Sequence, residues 1–232
     1  MEYRVEKKYL CSDYELAIIR HRINGLLSTD GNQSGDCYSV RSVYFDTVSD
    51  DCFYANAAGE DSRTKYRIRI YNHSDKQIRY EMKHKQNGYI KKESFAMERS
   101  ECEELLAGGY LKIEKRDNFP RNRVFMQQKS NRLQPVIIVE YERSAYVCPI
   151  GNVRITIDRN IAVSKDVCDF FEEELSLIPL LQPHMHLLEV KYDELLPDYI
   201  AQALDIGNLQ QIAFSKYYLA RQITDLNETL IF

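Results

Sequence analysis

The chain has 232 residues, 44% of them hydrophobic, enough for one large domain or two small ones, which excludes a wholly disordered polypeptide. Its 31 Lys+Arg against 35 Asp+Glu give a formal charge of −4, which excludes a generic nucleic-acid or anionic-membrane binder and makes any basic site a local one. No apolar run approaches the ~20 residues of a membrane helix, and the opening stretch lacks the hydrophobic core of a secretion signal, so a cytoplasmic chain without direct membrane insertion is expected.

Arg4 to Tyr9 alternates as a strand. Ser12-Asp13-Tyr14-Glu15 then reads as a capping box for a helix with Leu16, Ile19, Ile23 and Leu26 on one face. Gly31, Asn32, Ser34 and Gly35 mark a turn-rich link into a strand over 37–46. Three strand-like segments follow, Thr64 to Tyr71, Gln77 to Lys85 and Ile90 to Phe95, divided by turns at Asn72-His73-Ser74-Asp75 and Gln86-Asn87-Gly88. This is an antiparallel meander. Ser100-Glu101-Cys102-Glu103 repeats the capping chemistry, Gly108-Gly109 ends that helix, and Phe119 to Gln128 has the pattern of another. Strands resume at Pro135 to Arg143, Val153 to Asp158 and His186 to Tyr192, and helices start near Pro197 and near Asn208, where Asn208 and Gln211 cap reciprocally. No repeat or long linker interrupts the order, so a single α+β domain over 1–232, dominated by antiparallel strands, is expected. Six cysteines lie far apart with no Cys-x-x-Cys pair, which predicts reduced thiols and no zinc ribbon.

Side chains alternate across a strand, so residues of one parity share a face. Lys65, Arg67 and Arg69 oppose Tyr66, Ile68 and Ile70; Arg79, Glu81, Lys83 and Lys85 oppose Ile78, Tyr80 and Met82. The split recurs for Arg154, Thr156 and Asp158, for Glu189 and Lys191, and more loosely for Arg4, Glu6 and Lys8. One such strand is simply half-buried with a solvated outer face. Five together place cations about 6.8 Å apart along strands spaced about 4.8 Å, with few carboxylates between them. If that face is concave, it needs a polyanion, and phosphate chains suit it because Arg offers planar bidentate donors and Lys a mobile point charge. His184 and His186 have the opposite parity to Glu189 and Lys191, which predicts an outward surface pair, and His84 likewise opposes Glu81 and Lys83. There is no P-loop or G-x-G-x-x-G.

The ordered series Arg4-x-Glu6-x-Lys8-Tyr9, Ser42-Val43-Tyr44-Phe45-Asp46, Lys65-x-Arg67-x-Arg69, Glu81-x-Lys83, Tyr141-x-Arg143, Arg154-x-Thr156-x-Asp158, Glu189-Val190-Lys191 and Ser215-Lys216-Tyr217 resembles the VTC domain. This is the polyphosphate-polymerase branch of the CYTH superfamily, the triphosphate tunnel metalloenzymes. The resemblance implies a closed antiparallel β-barrel, a tunnel with flanking helices, whose interior binds triphosphate through basic side chains and a divalent metal, Mn²⁺ or Mg²⁺. Hydrolytic and cyclase-type relatives open with Glu-x-Glu-x-Lys, whereas Arg4 stands here where their first carboxylate stands, which favours holding phosphate over hydrolysis.

Carried onto this chain, the resemblance makes Arg67, Arg69, Lys83, Arg143, Arg154 and Lys191 the catalytic cations. Lys8, Lys65, Tyr141, Ser215 and Lys216 join them as phosphate ligands, with Lys91 or Lys92 closing the mouth. Glu189 is the first choice for the metal, and Glu6 and Glu81 are second choices that serve equally well as charge partners of nearby cations. The implied reaction is transfer of the γ-phosphoryl group of ATP, or of another nucleoside triphosphate, to a growing inorganic polyphosphate chain. A tripolyphosphate or nucleoside triphosphate hydrolase on the same fold and a non-catalytic polyphosphate-binding module are the alternatives. No nucleic-acid partner is expected, and a membrane-protein partner is left open.

Overall fold

Charged residues alternating with β-branched and aromatic ones turn most of the chain into antiparallel strands. The computed structural model describes residues 4–33, 35–87, 89–112, 119–207 and 209–229. Ser34, Gly88 and Asn208, singled out above in turns and a cap, lie outside them. In order the elements are β1 (Arg4–Ser12), α1 (Asp13–Ile23), β2 (Ser28–Thr29), β3 (Tyr38–Asp46), α2 (Asp51–Ala57), β4 (Arg63–Tyr71), β5 (Ser74–Gln86) and β6 (Tyr89–Met97). Then come α3 (Arg99–Leu106), α4 (Phe119–Asn131), β7 (Gln134–Cys148), β8 (Val153–Ser164), β9 (Ile178–Pro179), β10 (Met185–Asp193), α5 (Asp198–Leu204), β11 (Gln210–Gln211) and α6 (Lys216–Thr229).

Contacts divide the chain into two interleaved units: unit 1 is Met1–Ser39, Tyr141–Ile161 and Pro179–Phe214, and unit 2 is Val40–Glu140, Ala162–Ile178 and Ser215–Phe232. In unit 1 the strand order is β11-β1-β10-β8-β7, with β2 also on β7. Leu16, Ile19 and Ile23 of α1 and Ile200 and Leu204 of α5 are buried with Val153, Ile155, Ile157, Leu188 and Val190 in one apolar cluster. That face excludes water, so the alternate residues Glu6, Lys8, Arg154, Glu189 and Lys191 are left to the other. In unit 2 the order is β7-β3-β4-β5-β6. Val43, Phe45, Ile68, Ile70, Ile78, Tyr80, Met82 and Phe95 pack with Cys102 and Leu105 of α3 and Val124 of α4. Tyr80 and Phe95, paired across β5 and β6, stack with ring centroids 5.2 Å apart.

The α1 capping box forms as expected: Ser12 Oγ accepts the Glu15 N–H at 3.3 Å and the Glu15 carboxylate accepts the Ser12 N–H at 2.7 Å. The β4–β5 turn is a two-residue hairpin with Asn72 and His73 at φ 50° and 52°, the left-handed conformation such a turn needs. Other expectations are corrected. The N-cap of α3 is Glu98, not Ser100, because Glu101 completes the reciprocal box with Glu98. Leu26 lies beyond the end of α1 and is exposed. The helix expected near Asn208 is absent: Gln210 and Gln211 pair with β1, and the helix starts at Lys216. α2 was not expected at all. Closure of the barrel through backbone pairing is not found among the described residues: the end strands β11 and β6 each have one neighbour, and β11 has only two residues with which to build a ladder. All six cysteines are free. Among the described residues no helix is long and apolar enough to cross a membrane.

Candidate functional site

In unit 2 the β4–β5 register sets Lys65 opposite Lys83, Arg67 opposite Glu81 and Arg69 opposite Arg79, so five cations and one carboxylate share a face. Arg67 reaches Glu81 Oε2 at 2.6 Å through Nε and Nη2, and Arg69 Nη1 lies 3.7 Å from the same oxygen. Burial alone would raise the Glu81 carboxyl, but the two guanidiniums outweigh it and hold it below the usual range. Ser42 accepts a hydrogen bond from Arg69 Nε at 3.1 Å, and Tyr44 lies under Arg67 with its ring centroid 6.0 Å from Cζ. Lys65 Nζ donates to Ser215 Oγ at 2.9 Å.

Ser215 is not inside a helix with Ile212 and Phe214, as the pattern indicated; it stands just ahead of α6, where its Oγ accepts the Tyr218 N–H at 3.3 Å. The start of α6 is fixed by a buried carboxylate. Asp46 accepts backbone N–H groups of Thr47, Cys52 and Phe53 at 2.7, 2.8 and 3.0 Å, capping α2, and also accepts the Tyr217 hydroxyl. Burial and that carboxylate push the Tyr217 phenol far up, so it stays a donor. Tyr217 also stacks on Tyr44 at 5.3 Å, and Arg221 Nη1 reaches Asp50 at 2.8 Å. Lys91 requires a correction: it pairs with His84, and its Nζ lies 3.1 Å from Glu93 on the opposite face, whereas Lys92 pairs with Lys83. His84 keeps to that opposite face as expected, 2.9 Å from Thr64 Oγ1.

In unit 1 every predicted cation meets a carboxylate. Arg143 holds Asp158 in a bidentate pair at 2.6 and 2.8 Å and lies 5.1 Å from the Tyr141 ring centroid. Burial would lower the Arg143 guanidinium, but Asp158 more than offsets this and raises it. Arg154 pairs with Asp30. Lys191 pairs with Glu189 and lies 3.6 Å from Glu6, while Lys8 is 3.0 Å from Glu6 and donates to the Phe214 carbonyl at 2.9 Å. Arg4 is drawn to Asp193 at 3.8 Å and to the Asn152 carbonyl at 3.2 Å. The Thr156 hydroxyl, opposite Glu189, is buried without a hydrogen-bond partner among the described residues. His184 and His186 face away from Glu189 as predicted, but His186 is buried; both rings bond Asp13, at 2.7 and 2.6 Å.

Sequence reasoning missed Asp30, Asp46 and Ser42 as partners of site residues. Asp30 carried no signal, since it lies in a loop 124 positions from Arg154.

No three His, Cys, Asp or Glu side chains converge as a metal cage among the described residues. Glu6 and Glu189 nevertheless meet at one ammonium, Lys191. Mg²⁺ and Mn²⁺ commonly take one or two carboxylates and complete their shell with phosphate oxygens and water, so this pair fits such an ion. Glu81, held by two arginines, fits less well.

The chain is similar to a putative adenylyl cyclase from Hippeastrum with a dominant triphosphatase activity, at 13% identity over 96% of each chain and a TM-score of 0.57. It is also similar to putative adenylate cyclases from Bacillus halodurans (13%, covering 92% of this chain and 94% of that one, TM-score 0.52) and Vibrio parahaemolyticus (10%, 94% and 97%, 0.52). No curated protein matches. At such identities these likenesses show the fold, which is the α+β, mainly antiparallel fold of the triphosphate tunnel proteins. The VTC domain model matches residues 3–224, and the chain belongs to the VTC domain family.

Proposed function

We propose that the chain acts as one VTC-type domain and is a metal-dependent polyphosphate polymerase that transfers the γ-phosphoryl group of ATP to the end of an inorganic polyphosphate chain. The observation that carries this reading is the shared face of β4 and β5, on which the register sets Lys65, Arg67, Arg69, Lys83 and Arg79 around Glu81. Such a face is stabilised by a ligand rich in oxyanions. The family match across the interleaved segments of both units supports a single working domain.

A terminal phosphate oxygen attacks the γ-phosphorus, the bond from that phosphorus to the β,γ-bridging oxygen breaks, and ADP leaves with the polymer one unit longer. The attacking phosphate is already anionic at neutral pH, so positioning and charge neutralisation matter more than a general base. Arg67, Arg69 and Lys83 bind and orient phosphoryl oxygens, Lys65 and Lys216 add charge, and Glu81 keeps the two guanidiniums aligned. Arg143, Arg154, Lys191 and Lys8 bind further oxygens, with Tyr141 and Ser215 as neutral donors. Glu189 and Glu6 would hold a divalent ion, which would supply charge neutralisation for the phosphates and the departing nucleoside diphosphate. Arg4 stays with Asp193, so the loss of the first carboxylate leaves fewer acidic ligands without adding a free cation.

The test is incubation of purified chain with ATP and Mn²⁺, with and without a short polyphosphate primer. Long acid-labile chains with matching ADP are expected. Orthophosphate without chains would assign a hydrolase instead, and binding without turnover a binding module.

A further inference from the structure

The face of unit 1 beneath α1 carries a polar cluster that the proposed chemistry does not use. Arg159 follows Asp158 on β8, so alternation turns it to the side opposite Asp158 and Arg143, beside Ile157 and under α1. Between α1 and β8 lies a cleft of about 140 Å³ lined by Asp13, Arg20, Ser144 and Arg159, with Leu16 and Ile157 behind them. A water occupies about 30 Å³, so the space is several waters deep, too small for a nucleotide and sufficient for one tetrahedral oxyanion.

The hydrogen-bond donors there are not fully met within the protein among the described residues. Arg159 Nε is buried without a hydrogen-bond partner, and the carboxylate within 4.0 Å of this guanidinium is Glu142, 3.9 Å from Nη2, among the described residues. The Arg20 side chain, half-buried on α1, makes no hydrogen bond or ion pair among the described residues. Asp13, whose carboxyl is held below its ordinary range by its hydrogen bonds to His186 and His184 at 2.6 and 2.7 Å, adds one negative charge at the exposed rim of the cleft. The Ser144 hydroxyl donates to the Asp36 carbonyl at 2.7 Å. A buried donor left unmet is costly, and the Arg159 Nε–H together with the unpaired Arg20 guanidinium leaves donors in the cleft that an oxyanion can satisfy.

We propose that this cleft is a second anion site, built by Arg20 and Arg159 for a single phosphate-sized oxyanion and separate from the face that carries Arg143 and Lys191. Its small volume selects one tetrahedral group, whether free orthophosphate or the end of a longer phosphate chain. Arg159 supplies a planar pair of donors and Arg20 a second cation from the helix above.

The test is calorimetric titration of the full chain with orthophosphate, and separately with pyrophosphate, at constant ionic strength. A saturable class that Arg20→Gln and Arg159→Gln each weaken roughly tenfold or more, and that Arg67→Ala leaves unchanged, is expected. Appearance of that class with orthophosphate assigns free phosphate as the ligand; appearance with pyrophosphate alone assigns a chain end. An unaltered isotherm in Arg20→Gln, or no class sensitive to either arginine with either ligand, would overturn the proposal. Arg20 has no partner to lose, so that variant keeps its fold and decides the matter even where Arg159→Gln does not.

Discussion

The two units carry similar cations with differently arranged carboxylates. In unit 1 Lys8, Arg143, Arg154 and Lys191 are met by Glu6, Asp158, Asp30 and Glu189, so its site face is close to neutral and already holds oxygen ligands. In unit 2 Arg67 and Arg69 share the carboxylate of Glu81, and Lys65 and Lys83 stand opposite each other further along the same β4–β5 ladder. The difference teaches that parity alone overstates positive charge: a strand pattern locates the cations, and only the fold shows which of them are already neutralised.

The largest expected effect separates the two most similar arginines. Arg143→Ala leaves Asp158, fully buried, without its bidentate partner, and removal of one member of a buried pair costs about 3–5 kcal/mol. Arg67→Ala removes a partly exposed guanidinium, with about 1 kcal/mol or less at stake in stability. Denaturant unfolding measures both, and both variants should lose chain synthesis. Equal stability losses would break the comparison.

Next in size is metal binding. Glu189→Gln is expected to raise the metal concentration for half-maximal activity by roughly tenfold or more, and Glu81→Gln to leave it nearly unchanged. A titration with Mn²⁺ that shifts for Glu81→Gln instead would move the metal to unit 2. Tyr217→Phe removes a buried hydroxyl from Asp46, and thermal unfolding should register about 1–3 kcal/mol. Rescue of phosphate affinity in this variant at lower temperature would fit loosening of the α6 start that carries Ser215 and Lys216.

The smallest effect is a pH dependence. The Glu81 carboxyl lies below its ordinary range in the folded chain, so its pairing stabilises the fold above the unfolded value of about 4.3 and is lost as pH falls through the lower folded value. Wild type should therefore lose stability more steeply on acidification than Glu81→Gln. Identical slopes would mean that the Arg67 and Arg69 pairing contributes nothing.

Much of this was legible in the sequence because alternation is a local property. The faces of β4, β5, β8 and β10 follow from parity within each strand, and the Ser12–Glu15 box from a four-residue pattern. What depended on distant partners was not. Asp30 reaches Arg154 from a loop, Asp46 reaches Tyr217 across 171 positions, and neither spacing leaves a period to read. Between Lys91 and Lys92 the sequence does not choose, because parity does not carry across a turn: the Lys83–Lys92 register puts Lys92 on the face of Lys83. α6 began later than its apolar pattern indicated because Gln210 and Gln211 are taken up by β1 and Ser215 serves as the cap. The division into two units left no linker, since each unit is assembled from three separate stretches of chain.

The most direct measurement is a crystal structure of the chain soaked with tripolyphosphate and Mn²⁺, with anomalous data collected at the manganese edge. Phosphate density against Lys65, Arg67, Arg69 and Lys83, with a manganese peak at Glu189 and Glu6, is the predicted result. Tripolyphosphate bound away from those four side chains, or manganese held by other carboxylates, would contradict the account.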